Sequence, residues 1–332
     1  MSSAPLLKFK TMDRRNFLKT GAAVLAAAEF GVVDALAAPA AQEGTWDSGA
    51  SWAAESAEAG ENDLRVRFLG TGAAGWKGPG SKSRRNSSVL LDGRILIDLT
   101  VSVLDMLPAG FVPRVVFYTH SHGDHYQPAV AIKAGVSEVY VSDTWETRAR
   151  EDLTAAAASL GVKAPKVTGL RIGQKVTVDG ITLTALPANH ATAYEDEQAL
   201  IYLLEKGGGR TRVLYATDTG GIPVRAARIV GLDPHIADGR PITGFIMEAT
   251  FGLGHEEDFR LFTHSGPETV LHITNMLIQN GRYLPPEGQP VYLTHMAYSL
   301  HDKLDQSQLG TILPKPLRAA YDGLEVVFKA NL

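Results

Sequence analysis

A short run of metal-capable side chains follows the apolar segment over residues 115–118. It contains His120, His122, Asp124 and His125, four candidate ligands within six residues. In an extended chain, residues two apart share a face, so the first two histidines can bind one ion while the last two residues reach a neighbouring ion. Neutral imidazole and carboxylate groups suit a divalent ion of the zinc type. The run therefore predicts a catalytic metal site, and a chance cluster of histidines in a polar loop is the weaker alternative.

Three later segments with the pattern of a strand each lead to one more metal-capable residue. These residues are His190, Asp218 and His295. Taken singly, a histidine or aspartate after a strand is more often a turn or capping residue. Strand ends gathered at one edge of two packed sheets would, however, bring all three residues and the first run into a single cleft.

The elements that must position these residues alternate between strands and helices from residue 64 onward. Short β-branched and aromatic runs predict about twelve strands, and three longer segments predict helices at Thr144–Leu160, Val224–Val230 and Pro267–Gln279. This composition suits two packed sheets with helices outside. The predicted strands span residues 64–68, 88–91, 95–98, 115–119, 138–142, 174–178, 181–186, 199–204, 212–216, 244–248, 290–294 and 324–328.

The first 37 residues have the features of an export signal. The twin arginine Arg14-Arg15 precedes a weakly apolar stretch over residues 20–33 and a small-residue cleavage sequence over residues 35–37. Charged residues interrupt this region, so a stable membrane span is a poor alternative. We expect a twin-arginine signal peptide over 1–37, a linker over 38–63 and one domain over 64–332, exported to the periplasm or the outside of the cell.

Composition limits the partners of this chain. The 332 residues are 45% hydrophobic and 20% charged, which is ordinary for a globular protein, and none is cysteine, so disulfides and thiolate metal ligands are excluded. Cleavage after Ala37 would remove five basic and three acidic residues and leave a net charge of −6. That balance argues against a nucleic-acid partner. We expect a small anionic substrate that the metals attract, and a homodimer is compatible with the sequence.

The glycines Gly70, Gly72 and Gly75 match the spacing of a dinucleotide-binding loop. That loop requires a helix to begin at the glycines. Here residues 76–81 contain a proline between two glycines and cannot be helical. We therefore expect no organic cofactor and interpret the glycines as a tight loop at the active site.

Together these motifs resemble the metallo-β-lactamase superfamily from about Leu64 to the C-terminus. The resemblance implies an α+β fold, an αβ/βα four-layer sandwich with the metals at its upper edge. It implies two divalent metal ions, with zinc expected and manganese as the alternative. The implied ligands are His120, His122 and His190 for one ion, Asp124, His125 and His295 for the second, and Asp218 as the bridge between them.

Several segments resemble the phosphodiesterase branch of that superfamily. Residues 68–72 and 85–88, and Glu248-Ala249-Thr250 with His264-Ser265, look like this branch, which includes tRNase Z. A second set looks still more like the cyclic phosphodiesterase of phosphonate degradation: residues 189–190, 218–219, 264, 293–295 and the tail over 321–325. The chain departs from both, because it lacks the cysteines of a structural zinc site and the long arm of the tRNA-processing enzymes. The setting of its third histidine also differs from that in thioesterases and β-lactamases.

The resemblance implies hydrolysis of a small phosphodiester, cyclic or linear. Two ions bridged by Asp218 would activate a water molecule and neutralise the phosphate. His264 would act as the general acid, with Glu248 fixing its tautomer. The alternative for this pair is a helix cap at His264 and a solvated strand end at Glu248. Two other functions stay open: an ester or lactone hydrolase of the same fold, and a non-catalytic exported metal-binding protein.

The other histidines are left outside the catalytic set. We expect His235 and His255 at the surface, His272 packed in the core and His301 near the cleft. Arg84, Arg85 and Lys303 are expected to be solvated.

Overall fold

The computed structural model describes residues 59–255 and 257–331. The expected signal peptide and the linker up to residue 58 lie outside the described residues, so they stay predictions. Within the described part, no helix is both long and apolar enough to cross a membrane. The strands are β1 (Leu64–Gly70), β2 (Ser88–Leu91), β3 (Ile95–Ile97), β4 (Val115–Phe117), β5 (Glu138–Ser142), β6 (Lys166–Leu170), β7 (Lys175–Val178), β8 (Ile181–Pro187), β9 (Leu200–Lys206), β10 (Thr211–Ala216), β11 (Gly244–Glu248), β12 (Val291–Thr294), β13 (Leu317–Ala319) and β14 (Glu325–Phe328).

Five α-helices accompany these strands. They are α1 (Pro128–Lys133), α2 (Glu146–Ser159), α3 (Val224–Val230), α4 (Pro267–Gln279) and α5 (Gln306–Ile312). Short 3-10 helices form at Val101–Met106, Gly207–Gly209 and Phe259–Phe262. The strands β6 and β13 and the helices α1 and α5 are not among the elements predicted from the sequence.

The strands form two sheets of seven, in the orders β14-β1-β2-β3-β4-β5-β6 and β13-β12-β11-β10-β9-β8-β7. In the first sheet β3 to β6 are parallel, and in the second β10 to β13 are parallel. Strand β8 is antiparallel to β9, which is antiparallel to β10, so β8 runs in the same direction as β10. The carboxyl ends of β8, β10, β11 and β12 therefore lie at one edge of the second sheet.

Three apolar clusters define the layers. One lies between the sheets and includes Phe117 of β4 and Tyr202 of β9. The outer face of the first sheet packs against α1 and α2, and the outer face of the second packs against α3, α4 and α5. Within β4, Val115 belongs to the inner cluster and Val116 to the outer one, as the two-residue period of a strand requires. The arrangement confirms the predicted αβ/βα sandwich, in which strands covered on both faces are apolar throughout.

Asp63 stabilises the edge of the sandwich that lies opposite the carboxyl ends of these strands. This buried carboxylate accepts hydrogen bonds from the backbone N–H groups of Gly60 and Ala330, at 2.8 Å each. Its position at the start of β1 and beside the end of β14 joins the first and last strands of the described domain.

Candidate metal centre

The seven predicted metal ligands lie beyond the carboxyl ends of four strands, at one edge of the sandwich. Strand β4 ends at Phe117 rather than at the predicted Thr119, and the chain then turns, with the N–H of His125 bonded to the carbonyl of His122 at 2.9 Å. This turn returns His125 towards the cleft. The remaining ligands follow β8, β10 and β12, namely His190, Asp218 and His295.

These residues form two adjacent groups. The ligand atoms of His120, His122 and His190 lie within 4.8 Å of one another. The same is true of the second group, Asp124, His125 and His295. The structure thus brings together the two sets that the resemblance implied, although their role as ligands stays a prediction.

Asp218 lies between the two groups and turns one oxygen towards each. Its Oδ1 is 3.7 Å from Nε2 of His190 in the first group. Its Oδ2 is 3.1 Å from Nε2 of His125 and 3.2 Å from Nε2 of His295 in the second. Burial opposes ionisation of this carboxyl, but His295 and His125 outweigh it and hold the pKa of Asp218 well below its ordinary value. An ionised carboxylate in this position has the geometry of a bridging ligand.

The first group presents ring nitrogens to one another. Nε2 of His120 is 2.9 Å from Nδ1 of His122, which is 3.2 Å from Nε2 of His190. Burial and the neighbouring histidines lower the pKa of His120 well below its ordinary value and that of His122 to about 4. Neutral imidazoles with converging lone pairs are the form in which histidine binds a metal. The donor set therefore fits a divalent ion of the zinc type.

The second group is oriented by a residue that the sequence reasoning missed. Asp98, fully buried just after β3, accepts a hydrogen bond from Nδ1 of His125 at 2.7 Å and from the backbone N–H of Thr119 at 2.8 Å. With Nδ1 bonded to Asp98, Nε2 of His125 faces Asp218 and Asp124. The strand-end rule that identified Asp218 also applies to Asp98 and could have found it.

Glu197 stabilises the loop after β4, which carries His120 and His122. Its carboxylate accepts hydrogen bonds from the backbone N–H of Ser121, at 2.7 Å, and from the hydroxyl of the same residue. Ser121 lies between His120 and His122, so this contact fixes the backbone that carries two ligands. Nothing in the sequence separates Glu197 from its acidic neighbours, and it too was missed.

The predicted pair of Glu248 and His264 forms beside the two groups. Nδ1 of His264 lies 3.2 Å and 3.1 Å from the carboxylate oxygens of Glu248, and 4.0 Å from Oδ1 of Asp218. The ring stacks on that of His295, with centroids 5.8 Å apart and planes 8° apart. Burial lowers the pKa of His264, but the carboxylate of Glu248 outweighs it and raises the pKa to about 9.

The alternative interpretation of this pair, a helix cap at His264 and a solvated strand end at Glu248, is wrong for both residues. Glu248 is fully buried rather than solvated, and it also accepts a hydrogen bond from the backbone N–H of Thr219. His264 does not cap α4, whose N-cap residue is Gly266. The His264 side chain keeps 17% of its surface exposed, so it can meet a ligand in the cleft.

Three residues at this edge adopt the left-handed backbone conformation. The φ angles are 50° at Asp218, 52° at His295 and 59° at Asp98. For non-glycine residues this region is sparsely populated and costs of order 1–3 kcal/mol each. Strain of this kind at three strand ends around one cleft is characteristic of a functional site.

The glycine loop after β1 borders the same cleft. Gly72 pairs with both Asn86 and Met296, and a side chain at Gly72 would collide with the backbone of Arg84. No helix forms between β1 and β2, all of which is described, as the proline between two glycines in residues 76–81 predicted. The guanidinium of Arg84 is not solvated as expected, because it bonds to the carbonyl of Ala320 at 2.6 Å.

The outlying histidines lie apart from the two groups. The side chain of His235 is 91% exposed. The prediction that His272 is packed in the core is wrong, because α4 buries Pro267, Val270, Thr274 and Leu277 and leaves His272 on the opposite, exposed face. His301 is buried, with Nε2 bonded to the carbonyl of Ala249 at 2.7 Å.

Comparison with known proteins agrees with this geometry. A family model described as a beta-lactamase superfamily domain matches residues 94–273, more than half of the chain. A UPF0173 metal-dependent hydrolase of Methanosphaerula palustris is 33% identical over 110 residues, which cover 32% of this chain and 43% of that protein. The chain thus spans less than half the length of this curated relative.

Two solved structures share the fold. The Zn²⁺-bound PqqB from Methylobacterium extorquens has a TM-score of 0.57 and 14% identity, over 79% of this chain and 99% of its own. The short form of human tRNase Z has a TM-score of 0.55 and 15% identity, over 80% of this chain and 99% of its own. At such identities the likeness shows the fold alone. Together with the family match, it establishes that this chain belongs to the beta-lactamase superfamily and has the metallo-β-lactamase fold.

Proposed function

We propose that this chain is an exported, metal-dependent hydrolase that uses two divalent ions to cleave a small anionic phosphodiester, cyclic or linear. The observation that carries the proposal is the buried Glu248 with His264, next to the bridging Asp218. Membership of the superfamily and the likeness to a metal-dependent hydrolase support the hydrolytic activity. The twin arginine of the N-terminal segment supports export.

The two groups of ligands would each hold one ion. His120, His122 and His190 would bind the first, Asp124, His125 and His295 the second, and Asp218 both. Five imidazoles and two carboxylates favour zinc, with manganese as the alternative. When bound, the ions would supply Lewis acidity, which activates water and neutralises charge on the phosphoryl oxygens.

The protein's own contribution to bond cleavage is a proton. In phosphodiester hydrolysis a water oxygen forms a bond to phosphorus, the bond from phosphorus to the leaving oxygen breaks, and that oxygen must gain a proton. Glu248 accepts the Nδ1–H of His264, so Nε2 is the nitrogen free to donate into the cleft. The attacking water releases a proton to solvent and His264 regains one from solvent. The product is a monoester with a free hydroxyl group, on the same molecule for a cyclic diester and on a separate alcohol for a linear one.

The leaving group provides the sharpest test of this role. An alkoxide needs the proton from His264, whereas p-nitrophenolate leaves readily without it. We expect His264→Ala to lower kcat about 10²-fold or more on a five-membered cyclic alkyl phosphodiester, and much less on bis(p-nitrophenyl) phosphate. Both assays use zinc-loaded protein with the metal content measured, and His235→Ala is the control for loss of an exposed histidine.

Other outcomes identify the alternatives. Equal losses on both diesters, with metal retained, would contradict the general-acid role. Turnover of a simple lactone without turnover of either diester would replace the proposal with an ester or lactone hydrolase. No turnover of any of the three by metal-loaded protein would leave a non-catalytic metal-binding protein.

A further inference from the structure

Thr250 lies between the second group of ligands, which includes His295, and the pair formed by Glu248 and His264. It follows β11 by two residues and is 6% exposed. Its hydroxyl oxygen has its closest contact with Oε2 of Glu248. The same oxygen lies 2.9 Å from Nδ1 of His295 and 3.2 Å from Nδ1 of His264. One hydroxyl thus contacts the carboxylate and both histidines.

The proton of this hydroxyl can be assigned from its neighbours. A hydroxyl has one hydrogen to donate and two lone pairs to accept with. An ionised carboxylate carries no hydrogen, so the contact with Glu248 requires that Thr250 donates. The carbonyl of His295, at 3.1 Å, is the competing acceptor, but it is more distant and uncharged. The hydroxyl hydrogen is therefore committed to Glu248.

This assignment determines the tautomer of His295. Because Thr250 has no second hydrogen, its contact with Nδ1 of His295 is a hydrogen bond only if that nitrogen carries the proton. In the neutral ring, Nε2 of His295 is then the nitrogen with a free lone pair. That nitrogen faces the second group, 3.2 Å from Oδ2 of Asp218 and 3.7 Å from Oδ2 of Asp124. It is the nitrogen that a metal in this group would need.

We infer that Thr250 is a positioning residue that fixes His295 in its Nδ1–H tautomer and links it to Glu248. The carboxylate of Glu248 then orients two histidines, His264 directly and His295 through the hydroxyl. The inference uses the metal site of the proposed function, but the tautomer of His295 does not depend on which substrate is cleaved. Partners of this kind typically change metal affinity about 10–100-fold when they are removed.

Two substitutions distinguish the effect of the Thr250 hydroxyl from the effect of the side-chain volume. Thr250→Val keeps the volume and removes the hydroxyl, whereas Thr250→Ser keeps the hydroxyl. We expect Thr250→Val to weaken binding of one of two Zn²⁺ ions about 10-fold or more, and Thr250→Ser to restore it. Thr274→Val is the matched control, because Thr274 is also buried and its hydroxyl bonds only to the backbone of α4, at 2.8 Å from the carbonyl of Val270.

The second readout is the tautomer itself. In a long-range ¹H–¹⁵N spectrum of the histidine rings, assigned with His295→Gln, the wild-type protein should show His295 protonated at Nδ1. Protonation at Nε2 would overturn the inference, as would Zn²⁺ binding by Thr250→Val equal to that of the wild type. Wild-type spectra test the tautomer even if Thr250→Val does not fold. Absence of zinc binding by the wild type would contradict the proposed function, while the tautomer would still be measured in the metal-free protein at a pH where the ring of His295 is neutral.

Discussion

Each histidine of the second group has one ring nitrogen assigned to a structural partner. Nδ1 of His125 is bonded to Asp98, and Nδ1 of His295 contacts Thr250. In both residues Nε2 turns towards Asp218, and the two Nε2 atoms are 3.2 Å apart. With the ring protons displaced, both nitrogens and Asp218 would be able to hold a cation. Asp98 and Thr250, which are not themselves ligands, therefore orient the two histidines for binding an ion.

A substitution at Asp98 tests whether a residue bonded to Nδ1 of a histidine ligand affects metal binding. Asp98→Asn keeps the size of the side chain but removes the charge that holds His125, so we expect metal affinity to fall about 10-fold or more. A competition titration with a chromogenic chelator measures the effect. Asp63→Asn is the control, since Asp63 is a buried carboxylate with backbone donors at the opposite end of the sheet. Equal affinities in both variants and the wild type would show that Asp98 does not position a ligand.

At the scale of elements, the loop between β8 and β9 positions the first group of ligands, His120, His122 and His190, from two sides. It carries His190, and its Glu197 holds the backbone at Ser121 in the loop after β4. The loop is itself anchored at the surface, where Asp196 pairs with Arg148 at 3.0 Å. One loop therefore sets the distance between ligands that come from different sheets.

We expect removal of the Glu197 carboxylate to loosen the first group. Glu197→Ala removes the charged acceptor of two partly buried Ser121 donors, which costs about 1–3 kcal/mol of stability. It should also weaken binding of the ion assigned to His120, His122 and His190. Glu197→Gln keeps an acceptor oxygen and should lose less. Asp196→Ala, at an exposed pair on the same loop, should be near neutral. Thermal unfolding and Zn²⁺ titration of all three check this, and equal behaviour of Glu197→Ala and Asp196→Ala would refute it.

The elements were predictable where periodicity was strong. Strands β2, β5 and β11 and helices α3 and α4 have the predicted limits. Strand β13 was missed because it has three residues, and α1 because it has six, too few for a helical period to show. The ligands could be predicted because each follows a strand. Asp98, Glu197 and Thr250 could not be assigned their partners, because sequence does not show which carboxylate or hydroxyl meets which histidine across the cleft.

At the scale of the whole molecule, each group of ligands joins the two sheets. His120 and His122 follow β4 of the first sheet, and His190 follows β8 of the second. In the other group, Asp124 and His125 come from the first sheet and His295 from the second. A bound ion would therefore cross-link the halves of the sandwich.

Removal of metal should accordingly destabilise the domain. Free metal at about 100 times Kd adds about 2.7 kcal/mol to the free energy of unfolding, which raises Tm by about 5–10 °C in a domain of this size. We expect a chelator to lower Tm by that amount in calorimetry. His190→Ala should show a smaller response to the chelator, because it lacks a ligand from the second sheet. A Tm that is the same with zinc and with chelator would contradict the cross-linking role.

The central claim is that two ions lie at this edge, bridged by Asp218. Anomalous X-ray scattering from a crystal of the zinc-loaded protein tests it most directly. The account predicts two peaks, one among His120, His122 and His190 and the other among Asp124, His125 and His295, with Asp218 contacting both. A single peak, or peaks away from these residues, would contradict it.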